Sequence, residues 1–401
     1  MESPEGYEGG NSLDAMILSG LLIAAILVLV GRRQRCLELL RANWPTVLFF
    51  GYCLISVLWS DFPLVGFKRW TKALGNLSMV LVVLTDPSPL AAMKRFLNRI
   101  SFILIPVSAL FIKYYPALGR GYNRWTWEPY YTGVTTDKNS LGAICLVFGL
   151  ASVWRVVEAV RENPPSRNRM LIAHGALLLV NLWVLWVAES STSTGCFLLG
   201  SAIIVAVTIR GRKHPSTIHI IAGIIGCVAL LAYLFPDVYA YLTQTMGRKP
   251  DLTGRTDIWN DLFHMHLNPW VGTGFETFWL GKRAEFFWRK YYFHPNQAHN
   301  GYIEIYINLG WIGVCFLVAQ MVAGYRNVVS GFRRNAPGAA LRIGYLAAAA
   351  IYNLTEAAFK VMHPVWIAFL IAVIALPEPL KTKAFRRYVE CTELATDPVE
   401  A

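Results

Sequence analysis

Asn139-Ser140-Leu141-Gly142-Ala143-Ile144-Cys145-Leu146-Val147-Phe148-Gly149-Leu150-Ala151-Ser152-Val153-Trp154 runs for 16 residues without a charged side chain. Extended a little at its ends, it reaches the roughly 17 to 25 apolar residues that a helix needs to cross the hydrocarbon layer of a bilayer. Comparable runs recur near 13–31, 42–60, 69–85, 98–115, 139–156, 170–188, 190–209, 217–236, 300–325, 338–356 and 361–379, which makes eleven. The fold class expected is therefore all-α, a polytopic transmembrane helix bundle of about 11 spans, within a range of 10 to 12. Composition agrees, because 55% of the 401 residues are hydrophobic and 15% are charged, with a mean hydropathy of +0.41. A soluble domain carries roughly a quarter charged residues, so a soluble enzyme of this size is excluded.

The formal net charge is +12, but its distribution argues against nucleic acid as a partner. Lys and Arg sit in short patches between apolar runs, with no zinc spacing or RNA-binding signature. Alternate connections hold 22 of the 37 cations. Lys and Arg accumulate in short cytoplasmic loops, which places the N-terminus outside and the tail 381–401 inside. The other 15 cations lie on the outer side against that rule, seven of them in the long segment 236–298. The expected organisation is an N-terminal bundle over 1–235 with about eight spans, an outer loop over 236–298, C-terminal helices over 299–380, and the tail. Seven scattered cysteines without a CxxC pair read as small core residues. The N-terminus, Met1-Glu2-Ser3-Pro4-Glu5, lacks the basic start of a cleaved signal peptide, so the first apolar run is expected to be retained.

The outer segments hold the candidate chemistry. Thr253-Gly254-Arg255-Thr256-Asp257-Ile258-Trp259 reads as a helix start, with Arg255 beside free backbone N–H groups. That is either an anion site or an arginine paired with Asp257 or Asp251. His294-Pro295-Asn296-Gln297-Ala298-His299-Asn300-Gly301 stands at the mouth of the ninth span. A neutral imidazole there can take a proton from a hydroxyl near neutral pH, although an interfacial histidine is more often structural. His264 and His266, two residues apart, diverge on a helix and make no zinc site. Lys138 opens the fifth span, where its donors can reach a phosphate. Glu356 and Lys360, spaced i, i+4, are expected to form a local pair. The hydroxyls of Ser190-Ser191-Thr192-Ser193-Thr194 either cap the next helix or contact ligand. Trp125, Trp127, Trp279, Trp288 and their tyrosine neighbours suit an interfacial belt as well as stacking on sugars.

Taken in order, Thr-Gly-Arg-Thr-Asp-Ile-Trp, Pro269-Trp270-Val271-Gly272-Thr273-Gly274-Phe275 and His299-Asn300-Gly301-Tyr302-Ile303-Glu304 ahead of Leu309-Gly310-Trp311 resemble the signature region of the O-antigen ligase and Wzy-type polysaccharide polymerase superfamily. Val57-Leu58-Trp59-Ser60-Asp61, Thr132–Gly142 and Ser190–Thr194 are similar to its exopolysaccharide-production branch. The resemblance implies a GT-C-like inverting membrane glycosyltransferase, without metal or other cofactor, in the bacterial inner membrane with its active site in the periplasm. The implied donor is an undecaprenyl-diphosphate-linked glycan. The implied acceptor is a growing glycan for a polymerase, or lipid A-core or a protein for a ligase, with membrane lipids and other polysaccharide-assembly proteins as further partners. By the same resemblance Arg255 and Lys138 hold the diphosphate and His299 activates the acceptor. Trp259, Asn300, Tyr302, Asn139 and Glu356 are candidate substrate contacts. The family usually has about twelve spans, one more than the apolar runs supply here. A third reading, from a different class, is a transporter or flippase of lipid-linked sugars, but that predicts buried mid-span charges or broken helices in matching halves, and neither is evident.

Overall fold

The computed structural model describes residues 12–122, 127–210, 253–334 and 338–375, with the single positions 219 and 223. Its first helix, α1 (Ser12–Gly31), is apolar on every side and contains no buried residue; it runs beside α4 (Pro63–Leu84). Between them, α2 (Arg33–Ala42) and α3 (Trp44–Ile55, extended by a 3₁₀ turn to Trp59) meet at a bend of 91°. Pro45, in the first turn of α3, has no N–H to continue a helical ladder from α2. Asn43 occupies the break, donating Nδ2 to the Leu39 carbonyl at 2.8 Å while its Oδ1 accepts from the Ala375 N–H at 2.9 Å. The span expected at 42–60 is thus approached by a second, amphipathic helix that hydropathy alone did not register.

α5 (Pro89–Tyr114) leads to a small antiparallel pair of strands, β1 (Arg120–Tyr122) and β2 (Pro129–Tyr131), with Arg120 opposite Tyr131. Then follow α6 (Lys138–Glu162), α7 (Arg167–Val187), α8 (Ser191–Arg210), α9 (Thr253–His264), α10 (Gly281–Lys290), α11 (Gly301–Arg333), α12 (Ala339–Thr355) and α13 (Pro364–Val373). Among the described residues, six helices are long and apolar enough to cross a membrane: α1, α5, α6, α7, α8 and α11. The bent pair α2 and α3 makes a seventh if counted as one span. α4 carries Lys68, Arg69 and Lys72 near its start, and α12 and α13 are 17 and 10 residues long. Apart from positions 219 and 223, the span expected at 217–236 lies outside the described residues.

α6 is the central helix, most of its length buried against α7, α8, α12 and α13. Helices in lipid gain little from hydrophobic burial against one another, so small residues at their contacts matter. A Cβ on Gly200 would stand 2.9 Å from Leu150, and one on Gly344 would stand 2.8 Å from Ile204, which shows how closely α6, α8 and α12 approach. The outer faces are the reverse: Ile172, Leu179 and Trp186 of α7 and Leu198 and Ile209 of α8 are exposed, as a lipid-facing surface requires. The last carbonyls of α13 are taken by Arg342, whose Nη2 reaches Ala372 O at 2.7 Å and whose Nε reaches it at 3.1 Å. A buried cation at a helix C-terminus is there matched to unsatisfied carbonyls.

Residues 253–298 form a compact element with its own small core of Ile258, Leu262, Phe278, Phe287, Tyr291 and Ala298 against Ile307. The loop 269–275 locks this element to the bundle. At Gly310 the backbone of α11 leaves helical geometry (φ 63, ψ −169). The carbonyls of Ile307 and Asn308 accept from the N–H groups of Thr273 (3.1 Å) and Gly274 (2.8 Å), while Trp311 N–H donates to Pro269 O at 2.8 Å. Ile312 N–H donates to Trp270 O at 3.2 Å and Leu309 O accepts from Tyr52 OH at 3.0 Å, so groups that the break would orphan in an apolar setting find partners in the loop and in α3.

Candidate functional site

The site is assembled from four helix ends. Asp137 caps α6, its carboxylate accepting from Ser140 N–H at 2.9 Å and Ser140 Oγ at 2.6 Å, so Lys138 and Asn139 occupy the first turn. Asn300 caps α11 in the same way, its Oδ1 accepting from Tyr302 N–H at 2.9 Å and Ile303 N–H at 3.0 Å. Its Nδ2 reaches Leu354 O at 3.0 Å and so holds the start of α11 to the end of α12. α12 stops because the fully buried Asn353 takes the Ala358 and Phe359 N–H groups on its Oδ1, at 2.8 and 2.9 Å, and turns the chain away. Gly301 leaves the space this amide occupies, since a Cβ there would overlap Asn353.

Beyond that stop, Glu356 has extended backbone (φ −141, ψ 154) and is 6% exposed. Its carboxylate is the meeting point of the site. Oε1 accepts from Arg255 Nη2 at 3.0 Å and from Asn139 Nδ2 at 3.3 Å, and Oε2 lies 3.3 Å from His299 Nδ1. Arg255, in the first turn of α9, also bonds the Thr355 carbonyl. The pairing of Glu356 with Lys360 expected from their spacing is not formed, because α12 ends at Thr355 and the two residues never share a helical face. Lys360 instead donates to Gln297 Oε1 at 3.2 Å. Arg255 likewise takes Glu356 as its partner, not Asp257; Asp251 lies outside the residues whose side chains are described.

The remaining expected residues divide. Trp259 donates to Ala298 O at 2.7 Å and steadies the segment carrying His299. Tyr302 donates to Ala350 O at 2.9 Å and packs edge-on against Phe359, inside the helix contact. Lys138 is exposed, one residue before Asn139 and outside the hydrogen-bonded cluster. In the serine and threonine turn, Ser190 Oγ donates to Ser193 Oγ at 2.9 Å and Thr194 Oγ1 donates to Ser190 O at 2.9 Å, bonds that stay within the first turn of α8. Thr192 meets Thr355 at 2.9 Å beside the site. His299 sits in the left-handed region (φ 50), a conformation that costs a non-glycine residue on the order of 1 kcal/mol or more and is held here by its neighbours.

Glu304 had no role in the sequence reading beyond closing a motif. Its Oε2 accepts from Ala298 N–H at 2.9 Å and its Oε1 from Trp279 Nε1 at 2.9 Å, so it ties the residue before His299 to the 253–298 element. The available signal was a carboxylate in the first turn of an apolar span, which is costly unless partnered. Further out, Asp261 of α9 accepts from Lys290 Nζ at 2.6 Å and Tyr291 OH at 2.8 Å. Burial pushes its carboxyl up, but those two hydrogen bonds outweigh burial and hold it below the usual carboxylate range; burial and the same bond push the Tyr291 hydroxyl up. Among the described residues, no group of three His, Cys, Asp or Glu side chains is placed to hold a metal ion.

Fold and site together define a class: a multi-pass helical membrane protein that gathers an arginine, a histidine and a buried carboxylate at one end of its bundle. Residues 174–318 match the family model described as O-antigen ligase, a stretch that contains Arg255, the 269–275 loop and His299. The exopolysaccharide production protein ExoQ of Rhizobium meliloti (strain 1021) is 24% identical over 287 residues, which cover 68% of this chain and 62% of that relative. The match thus spans less than two thirds of the relative's length. Both findings are similarities to the O-antigen ligase and Wzy-type superfamily, in line with the motifs quoted from the sequence.

Proposed function

We propose that this chain is an inverting glycosyltransferase that joins undecaprenyl-diphosphate-linked oligosaccharide repeats into polysaccharide at the periplasmic face of a bacterial inner membrane. The observation that carries the reading is the convergence of Arg255, His299 and Asn139 on Glu356. A diphosphate-linked sugar already has a good leaving group. The protein has chiefly to hold an acceptor hydroxyl in line and to stabilise the charge that gathers on the phosphates. Arg255 supplies a fork of donors for that charge, and Lys138, exposed at the adjacent helix start, adds a second cation. His299 Nε2 takes the proton of the acceptor hydroxyl as the new bond to the anomeric carbon forms. The bond from that carbon to phosphate breaks, and the lipid diphosphate leaves with the electron pair. The cations take the place that a divalent ion holds in metal-dependent transferases.

A second reading, ligation of a finished glycan to a lipid or protein acceptor, is favoured by the description of the matching family model; the relative's name favours polymerisation. The purified protein in lipid nanodiscs, given a lipid-linked oligosaccharide alone or with a lipid A-core acceptor, separates them. Growth by whole repeats means polymerase, and a product that needs the second acceptor means ligase. Removing the general base in His299→Ala should cost at least about 100-fold in turnover. Transport of the lipid-linked sugar with no transfer by the wild type would overturn the enzyme reading altogether.

A further inference from the structure

Arg255 and His299 do not contact each other through any hydrogen bond; both are held by the same carboxylate. We propose that Glu356 is the positioning residue of the site, orienting His299 through Nδ1 while it places Arg255, and that this role deepens the transferase reading and rests on it. Three features support the assignment. First, Glu356 lies beyond the end of α12 with its backbone fixed by the Asn353 turn, so the carboxylate is presented by a rigid support. Second, both oxygens are engaged, Oε1 by Arg255 and Asn139 and Oε2 by His299. Third, it is 6% exposed, and a buried carboxylate is tolerated only where it is paired and hydrogen-bonded.

The tautomer follows from the partners. His299 Nδ1 has two neighbours, Glu356 Oε2 at 3.3 Å and Gln297 Nε2 at 3.4 Å. A carboxylate only accepts, so when Nδ1 carries the proton it donates to Glu356 and leaves the Nε2 lone pair open toward a hydroxyl. Without that acceptor the Gln297 amide is the competing partner, donating to Nδ1 and placing the proton on Nε2, which is the wrong tautomer for a base. The charged groups around the imidazole are Glu356 itself, Arg255 across the carboxylate, Lys360 through Gln297 and Glu304 through Ala298. Glu356 also stands where an anionic ligand of Arg255 would arrive. A diphosphate oxygen that takes the guanidinium leaves Oε1 to Asn139 alone and removes a neutralising cation from the carboxylate, which strengthens its hold on Nδ1–H. Donor binding and readiness of the base are in this way linked through one side chain.

The test is a double-mutant cycle on the full-length protein in nanodiscs, using a lipid-linked oligosaccharide donor and a defined acceptor, with Glu356→Gln, Glu356→Asp, His299→Ala and the combination of Glu356→Gln with His299→Ala. Glu356→Gln should lower kcat by about 100-fold, within the range that a general base contributes, with a smaller effect on donor KM. Glu356→Asp keeps a charged acceptor and should recover most of the turnover lost in the Gln variant, a rescue that makes the result independent of how well the Gln variant folds. In the His299→Ala background the Gln substitution should cost far less turnover than in wild type, since most of its effect passes through the missing imidazole and only the share that places Arg255 remains. Equal losses in both backgrounds, or a Gln variant within about twofold of wild type, overturn the role of Glu356 while leaving the transferase reading intact. A wild type that transfers nothing overturns both.

Discussion

Single residues near the site carry sharply different expectations. Gly301→Ala drives a methyl group into Asn353, and displacing that amide strands the Ala358 and Phe359 N–H groups it accepts. Each buried unpaired donor costs about 1 to 3 kcal/mol, so the variant should melt several degrees below wild type in a detergent thermal-shift assay. Asn353→Ala should do the same without any clash. Asp261 provides the pH-dependent case. Its folded carboxyl lies below its ordinary value, so its contribution is present above the unfolded value, near about 4, and is lost as pH falls through the folded value. In melts between pH 5 and pH 3, the advantage of wild type over Asp261→Asn should shrink as acid is added. An advantage that grows toward pH 3 would refute the assignment. At this scale the sequence showed which residue types belonged together but not who holds whom. Arg255 and His299 stood in recognisable motifs, whereas Glu356 was read as the partner of Lys360. The reading assumed that the helix continued past Thr355; the stop depends on Asn353, a polar residue inside an apolar run whose side chain gives no local sign of where it reaches.

Among the elements, α11 is the one whose interruption matters most. Hydropathy marks 300–325 as one span, and the structure gives Gly301–Arg333 with a break at Gly310. The portion after the break is 23 residues, which at 1.5 Å per residue extends about 34 Å and can cross a bilayer alone. Gly310→Ala places a side chain against the Trp270 backbone in a conformation that only glycine adopts easily. It should release the 269–275 loop, and limited proteolysis of the solubilised variant should cut near 269–278 where wild type resists. Helix lengths show a related pattern. α5 begins at Pro89, well before the apolar run that starts near 98, because Lys94 and Arg95 belong to the helix without belonging to the hydrocarbon. Hydropathy measures the thickness of the lipid, and helices do not stop where lipid stops. The cause of the break at 42–43 was printed in the sequence as Asn43 and Pro45, yet apolar residues on its C-terminal side outweighed it.

For the molecule as a whole, polarity is the claim most open to test. The site lies at the start of α6, α8 and α11 and the end of α12. The Lys94, Arg155 and Glu158 cluster links the start of α5 to the other end of α6. The alternation of loop charges put these two groups on opposite sides, and the helices place them at opposite ends of α6. In intact spheroplasts, a cysteine introduced at the exposed Lys282 should react with an impermeant maleimide. One at Arg95 should react only after permeabilisation. Reversed labelling would move the whole cluster into the cytosol and end the proposed chemistry.

α1 adds a consequence of a different kind. Because no side chain of this helix is fully buried, and those from Ile17 to Val28 lie outside the packed core, its neighbours hardly distinguish one aliphatic order from another over that stretch. Shuffling the aliphatic residues between Ile17 and Val28 at constant composition should therefore leave insertion and heat resistance intact, while a permutation of the aliphatic residues of α6 would abolish both. For α1, length and oiliness carry the function of the segment, and its spelling hardly matters.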